Sequence, residues 1–121
     1  DERSLEGLKK TLQDPAYQKL DIQLTAGDFQ FRKNLSFEKV SGLLVNPPRS
    51  GLKQFLDPLA DIDSAARPNT VIYLSCFLDS FLMDAKKLNE LGYQLQKIDL
   101  IDQFPHTPHA EFLGTFSRIH R

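Results

Sequence analysis

Apolar residues near the start of the chain recur at helical spacing. Leu5, Leu8 and Leu12 are three or four positions apart, so they share one face of a helix. Pro15 follows soon after, and a proline cannot continue a helix because it lacks a backbone N–H. The pattern therefore predicts an amphipathic helix over residues 4–13.

Five later segments have the patterns of β-strands. Apolar and polar residues alternate over 20–25, which predicts a strand with one buried face. The runs 42–45 and 71–74 are apolar throughout, as in strands buried on both faces of a parallel sheet. Segments 93–100 and 112–119 are predicted to be two further strands. A polar, proline-containing stretch joins these last two, and no helix fits within it.

A short helical segment follows the strand at 42–45. Leu52, Phe55 and Leu56 have helical spacing and predict a short helix. Asp57 stands before Pro58, the arrangement of an N-cap residue with proline at the first helical position. The pattern predicts a break and a restart at this point, rather than one continuous helix.

The clearest predicted helix follows the strand at 71–74. Asp79 is placed to cap its beginning, and Gly92 supplies the left-handed residue that ends many helices. The apolar stripe of this helix consists of Phe81, Leu82, Ala85, Leu88 and Leu91.

The order of these elements predicts the fold class. Strands that alternate with helices form a parallel α/β sheet with right-handed crossovers. The helix-free connection between the last two strands predicts that this pair is antiparallel. A chain of 121 residues fits one domain with one modest core.

The composition narrows the class of protein further. A hydrophobic fraction of 40% and a charged fraction of 26% are those of a globular domain, and neither a membrane span nor a signal peptide is visible. The single cysteine, Cys76, cannot form an internal disulfide, so a reducing, cytoplasmic setting is expected. A net charge of −1 counts against a domain that binds RNA by itself through a large basic surface in contact with phosphates. The chain opens at Asp1 directly into a helical pattern, and we expect further chain upstream.

Three groups of polar residues stand where an α/β sheet binds its ligands, beyond the carboxyl ends of strands or in the last connection. They are the Asn-Pro-Pro-Arg segment 46–49, the Ser-Cys pair 75–76, and the segment 104–111, which holds two histidines and a glutamate. Each alone has an ordinary structural explanation. A cysteine is often a small apolar filler, a proline pair a stiff turn, and a glutamate a solvated side chain.

The order and spacing of the three groups together resemble the RNA (uracil-5-)-methyltransferase family, which includes a tRNA enzyme and the 23S ribosomal RNA enzymes. The resemblance covers roughly residues 40–119. It rests on Leu-Val-Asn-Pro-Pro-Arg-Ser-Gly-Leu at 44–52, Tyr-Leu-Ser-Cys at 73–76, and the segment 102–111. It implies a class I, Rossmann-like methyltransferase domain that uses S-adenosylmethionine, with residues 1–121 as its C-terminal part and its N-terminal half missing.

The resemblance also assigns roles to five residues. In the family a cysteine at the position of Cys76 attacks carbon 6 of uracil, and the resulting enolate takes a methyl group at carbon 5. A glutamate at the position of Glu111 then removes the carbon 5 proton. The positions of Asn46 and Arg49 bind the substrate RNA, and Asn46 and Asp28 are expected to bind the cofactor. RNA is thus the expected partner of the full-length protein.

This chain departs from the family pattern at several positions. Asn46 stands where the family has aspartate, and asparagine can both donate and accept hydrogen bonds. Phe77 and Leu78 replace an Asn-Pro pair after the cysteine, and Met83 replaces an arginine before Asp84. The glycine-rich loop that binds the methionine part of the cofactor is absent from the chain. The fragment alone is therefore expected to be inactive.

Two other functions are compatible with the sequence. The departures fit a diverged relative that keeps the fold as a non-catalytic RNA-binding or interaction module. The Asn-Pro-Pro triplet at 46–48 is similar to one in enzymes that methylate the amino group of adenine, but those need an aromatic residue where Arg49 stands.

The strand order of the implied fold, 3-2-1-4-5-7-6, separates the strand at 20–25 from that at 42–45 by two neighbours. Without them, two apolar sheet edges would be open to pairing. We therefore expect either that 20–25 pairs beside 42–45, or that two chains associate through the open edge.

Overall fold

The computed structural model of the chain describes residues 2–17, 19, 37, 40–101 and 110–119. Two α-helices and four strands make up its regular structure. In chain order they are α1 (Glu2–Leu12), β1 (Gly42–Val45), β2 (Thr70–Ser75), α2 (Leu78–Glu90), β3 (Tyr93–Ile101) and β4 (Glu111–Arg118). Short 3₁₀ helices lie at Pro15–Tyr17, Lys53–Asp61 and Ser64–Ala66. Within these ranges no helix is both long enough and apolar enough to span a lipid bilayer.

The four strands form one mixed sheet in the order β1-β2-β4-β3. β1 and β2 are parallel, whereas β4 runs antiparallel to both of its neighbours. The antiparallel last pair is thereby confirmed, and the order agrees with the 4-5-7-6 part of the expected arrangement. The predicted strand at 20–25 lies outside the described residues, and so does its expected pairing with β1.

α2 covers one face of the sheet through an aromatic cluster. The rings of Tyr73 on β2 and Phe81 on α2 meet edge to face at 5.2 Å between centroids, and Phe116 on β4 lies beside Phe81. Gly114 allows this contact, because a Cβ at that position would lie 2.9 Å from the Phe81 ring. All three aromatic side chains are fully buried between α2 and the sheet. The core extends from them to the buried leucines Leu52, Leu56 and Leu59.

The predicted break at Pro58 is wrong. A single 3₁₀ helix, Lys53–Asp61, continues through the proline, and Asp57 lies inside it rather than at a new N-cap. The physical reason is that Leu56 and Leu59, one 3₁₀ turn apart, are both fully buried on its inner face. Their burial holds the segment together although Pro58 has no N–H to donate.

Two details predicted for α2 are also wrong. Its N-cap is Phe77, which makes no side-chain capping bond, and Asp79 lies within the first turn. In the first turn the negative charge of Asp79 is still favourable, because it lies near the positive end of the helix dipole. Leu82 was expected in the apolar stripe, but 56% of its surface is exposed. The buried stripe follows Phe81, Asp84 and Leu88 instead, so a polar residue stands inside it.

The ends of the other elements agree with the pattern to within two residues or so. α1 begins two residues earlier than the predicted 4–13, and Gly92 has the predicted left-handed conformation, with φ of 96°. β1 forms one edge of the described sheet, and its Leu44 is 75% exposed. The prediction that the run 42–45 is buried on both faces is therefore wrong, because only Val45 of this edge strand is buried. An apolar side chain is thus present at the edge where the sequence predicted association.

Candidate active site

The carboxyl ends of β1 and β2 bring two of the predicted groups to one edge of the sheet. The two strands are parallel, with Val45 beside Tyr73 in the register. Asn46 follows directly on β1, and Cys76 follows directly on β2. The side chains of both residues are exposed to solvent.

The register between β2 and β4 relates Cys76 to Glu111. The last pair of these antiparallel strands is Ser75 with Phe112. Cys76 directly follows Ser75 in the sequence, and Glu111 directly precedes Phe112. The two predicted catalytic residues therefore lie at the same end of neighbouring strands, with the Glu111 side chain partly exposed.

The buried hydroxyl of Ser75 shapes the turn that carries Cys76. Ser75 Oγ accepts a hydrogen bond from the Phe77 amide at 3.1 Å and lies 2.9 Å from the Phe77 carbonyl oxygen, to which it can donate. Ser80 Oγ donates to the same carbonyl at 3.2 Å. These bonds join residues on both sides of Cys76 and hold its backbone between β2 and α2. The sequence indicates Ser75 only as a neighbour of the cysteine.

The turn after β1 contacts the turn after β2. The Arg49 guanidinium lies over the Phe77 ring, with Cζ 4.8 Å from the ring centroid, which is within the range of a cation–π interaction. The structure thus joins the Asn-Pro-Pro-Arg segment to the residue that directly follows Cys76. Phe77 was noted in the sequence only as a departure from the family pattern.

A buried carboxylate connects three elements beneath this site. Asp84 on α2 is only 6% exposed, and its Oδ2 accepts a hydrogen bond from the Leu52 amide at 2.8 Å. The same oxygen accepts a short hydrogen bond from the Tyr73 hydroxyl. Burial, followed by this bond to Asp84, raises the pKa of Tyr73 far above that of a free tyrosine. Sequence reasoning gave Asp84 no role, although an aspartate on the apolar face of a helix is a recognisable signal.

A small cavity adjoins Asn46. Its volume is about 180 Å³, and it is lined mainly by apolar side chains: Leu44, Val45, Pro47, Leu52 and Phe55. Asn46 is the polar group in this lining, so its amide is available to a ligand that also packs against apolar walls.

Two predicted parts of the site fall on other residues of the chain. Asp28, expected at the cofactor, lies outside the described residues, as does the segment 102–109 with its histidines. The candidate site within the described residues therefore comprises the predicted residues Asn46, Arg49, Cys76 and Glu111 with their neighbouring contacts.

Comparison with known proteins gives a family match over most of the chain. The family model described as tRNA (Uracil-5-)-methyltransferase matches residues 21–118. The match includes all four strands and the four residues of the described site. It also includes residues 21–36, which lie outside the described part of the structure.

Individual relatives are RNA methyltransferases by name. An uncharacterized RNA methyltransferase of Bdellovibrio bacteriovorus is 41% identical over 98% of this chain and 31% of its own length. The 23S rRNA (uracil(747)-C(5))-methyltransferase RlmC of Escherichia fergusonii is 36% identical over 77% of this chain and 25% of its own. An uncharacterized RNA methyltransferase of Caldanaerobacter subterraneus is 34% identical over 77% of this chain and 20% of its own. The chain thus spans a third or less of the length of these relatives.

Proposed function

The chain belongs to the tRNA (uracil-5-)-methyltransferase family, and we propose on that basis that the complete protein methylates carbon 5 of a uridine in RNA. The substrate class is tRNA or 23S ribosomal RNA; the second is supported by the name of the Escherichia relative. The 121 residues form the C-terminal part of a class I methyltransferase domain, which works in the cytoplasm, where a free thiol stays reduced.

Cys76 is the nucleophile in this proposal. Its thiolate adds to carbon 6 of the target uracil, which forms the S–C6 bond and moves the π electrons of the C5–C6 double bond toward an enolate at C5 and O4. A thiolate is suited to this step because it is strongly nucleophilic near neutral pH. The exposed position of Cys76 after β2 supports the role, since a base flipped out of the RNA can reach it.

Glu111 is the general base. After carbon 5 has been methylated, the Glu111 carboxylate takes the C5 proton. The released electron pair re-forms the C5–C6 double bond and expels the Cys76 thiolate. The single observation that carries this assignment is the strand register, in which Cys76 and Glu111 each stand one residue beyond the Ser75–Phe112 pair.

Asn46 and Arg49 bind the RNA. The Asn46 amide can accept from the uracil imide N–H and donate to a neighbouring carbonyl, which an ionised aspartate cannot do. Arg49 combines a positive charge with a planar face, so it can contact a phosphate or stack on a base. Its contact with Phe77 holds it at the residue that directly follows Cys76.

S-adenosylmethionine is the proposed cofactor, and when bound it supplies the methyl group that the activated carbon 5 takes up. The cavity beside Asn46 suits part of such a molecule, because its apolar walls can contact a ring or methylene chain while the amide bonds a polar group. Asn46 is therefore proposed to contact both base and cofactor, together with Asp28.

A product analysis tests the proposal. The complete protein is incubated with S-adenosylmethionine and unmodified tRNA or 23S ribosomal RNA, and the digested nucleosides are identified by mass spectrometry. We expect 5-methyluridine, with Glu111→Gln giving far less. Methylation of adenine would favour the amino-methylating alternative. RNA binding without methylation, and without heat of cofactor binding in calorimetry, would favour the non-catalytic module.

A further inference from the structure

One oxygen atom connects the turn that follows β1 with the strand that leads to Cys76. Asp84 Oδ2 accepts from the Leu52 amide, which stands at the end of the turn that follows β1. It also accepts from the Tyr73 hydroxyl on β2, three residues before Cys76. Asp84 itself lies on α2, the helix that begins directly after Phe77. The turn, the strand and the helix that surround the site therefore share one buried acceptor.

The turn held by Asp84 has an unusual backbone. Gly51 has φ of 84° and Lys53 has φ of 49°, so the Leu52 amide lies between two left-handed residues. A non-glycine residue in that region costs free energy, and such a conformation persists only where its surroundings hold it. The bond from the Leu52 amide to Asp84 supplies such a constraint.

The Asp84 carboxylate packs closely against the turn, so the turn cannot shift toward α2. A Cβ on Gly51 would lie 2.8 Å from Asp84 Oδ2 and 3.2 Å from the Ser80 Cβ. Both Asp84 and Tyr73 are buried, so neither partner can exchange its bond for one to bulk water without moving. The position of the turn relative to β2 is thus fixed by contacts rather than by the chain connection alone.

We propose that Asp84 is a positioning residue of the methyl transfer reaction, which sets the placement of Asn46 and Arg49 relative to Cys76. The inference rests on the proposed function. Asp84 does not touch the substrate; it acts through the Leu52 amide and the Tyr73 hydroxyl. Its removal lets the turn relax, so RNA still binds but the target base is held in the wrong place.

The test compares three variants of the complete protein in steady-state methylation of RNA. Asp84→Ala removes both hydrogen bonds, and Tyr73→Phe removes one of them and keeps the ring. Asp57→Ala is the control, because it breaks an ion pair with Lys87 that also ties the segment 53–61 to α2 and removes neither hydrogen bond of Asp84. Melting temperatures are measured for all three, so that loss of folded protein is accounted for.

A positioning role predicts a specific split between kcat and KM. We expect kcat to fall about 100-fold for Asp84→Ala, because a displacement of about 1 Å can have that effect, with KM for RNA unchanged. Tyr73→Phe is expected to lower kcat about fivefold, the effect of one buried hydrogen bond. If Asp84→Ala does not fold, the comparison of kcat between Tyr73→Phe and Asp57→Ala decides whether Asp84 has a positioning role.

The double variant Asp84→Ala with Tyr73→Phe should be no slower than Asp84→Ala, because the bond between the two residues is already lost. The positioning role is overturned if Tyr73→Phe and Asp84→Ala lower kcat no more than Asp57→Ala does. A parent protein without methylation activity refutes the proposed function itself. The two failures are therefore distinguishable.

Discussion

The guanidinium of Arg49 lies over the ring of Phe77, with Cζ 4.8 Å from the centroid. Arg49 belongs to the turn that follows β1, and Phe77 is the first residue after Cys76. The contact therefore ties two separate sequence motifs together at the carboxyl edge of the sheet. It also gives a structural role to a residue that differs from the family pattern.

Replacing the ring at position 77 tests this contact. Phe77→Leu keeps an apolar side chain but removes the π face, and an exposed cation–π interaction contributes about 0.5–1 kcal/mol. We expect the methylation rate of the complete protein to fall about two- to fivefold. Phe77→Tyr keeps the π face and should retain the parent rate. Equal rates for Phe77→Leu and Phe77→Tyr would show that the contact does not matter for activity.

A methyl group at Gly114 should destabilise the core. Its Cβ would lie 2.9 Å from the Phe81 ring, which is held against Tyr73 and Phe116, so the ring must shift. Overpacking of this kind costs about 1–3 kcal/mol, measurable as a loss of unfolding free energy in urea. Gly7→Ala is the control, because nothing lies within 4 Å of its Cβ and alanine favours the helix α1. A Gly114→Ala variant as stable as the parent would contradict the close approach.

The burial of Tyr73 predicts a loss of stability at alkaline pH. Burial and the bond to Asp84 raise its pKa in the folded state, whereas an unfolded tyrosine ionises near pH 10 or so. Above that pH the unfolded state binds fewer protons than the folded state, so the free energy of unfolding falls as pH rises.

Tyr73→Phe removes this group and should reduce that slope by up to about 1.4 kcal/mol per pH unit above pH 10 or so, with no change of slope below. Urea denaturation of parent and variant at a series of alkaline pH values measures the unfolding free energy, and hence this difference in slope. Identical slopes would mean that Tyr73 ionises equally well in both states.

The open edge at β1 predicts self-association of the 121-residue chain. Among the described residues, no strand pairs with β1 on the side away from β2, and Leu44 there is 75% exposed. Leu44→Lys places a charge on that edge, a device that discourages edge pairing. Light scattering should show concentration-dependent dimers for the parent chain and fewer for the variant. A parent chain that stays monomeric at all concentrations would contradict self-association and would favour the other expectation, that residues 20–25 pair beside β1.

Much of the sheet could be predicted from the sequence, because strand burial leaves a local pattern. The apolar runs of β1 and β2 and the helix-free link before β4 were sufficient to predict a mixed sheet with an antiparallel end. The continuous 3₁₀ helix through Pro58 was missed, since local turn signals favoured a break. The burial of Leu56 and Leu59 that holds it together depends on tertiary contacts.

The candidate site was predictable where residues follow directly on strands, as Asn46 and Cys76 do. The supporting contacts were not. Arg49 reaches Phe77 across 28 positions of sequence, and Asp84 bonds to Leu52 across 32. No periodic pattern encodes such pairs, because they depend on how α2 packs against the turn after β1.

Trapping of a covalent adduct tests the central claim, that Cys76 is the nucleophile, most directly. The complete protein is incubated with S-adenosylmethionine and RNA that contains 5-fluorouridine at the target position. Fluorine at carbon 5 cannot leave as a proton does, so the Cys76–RNA bond persists and appears as a shifted band on a denaturing gel. We expect the adduct with the parent protein and none with Cys76→Ala, whose RNA affinity should be retained. An adduct that forms as readily with Cys76→Ala would contradict the account.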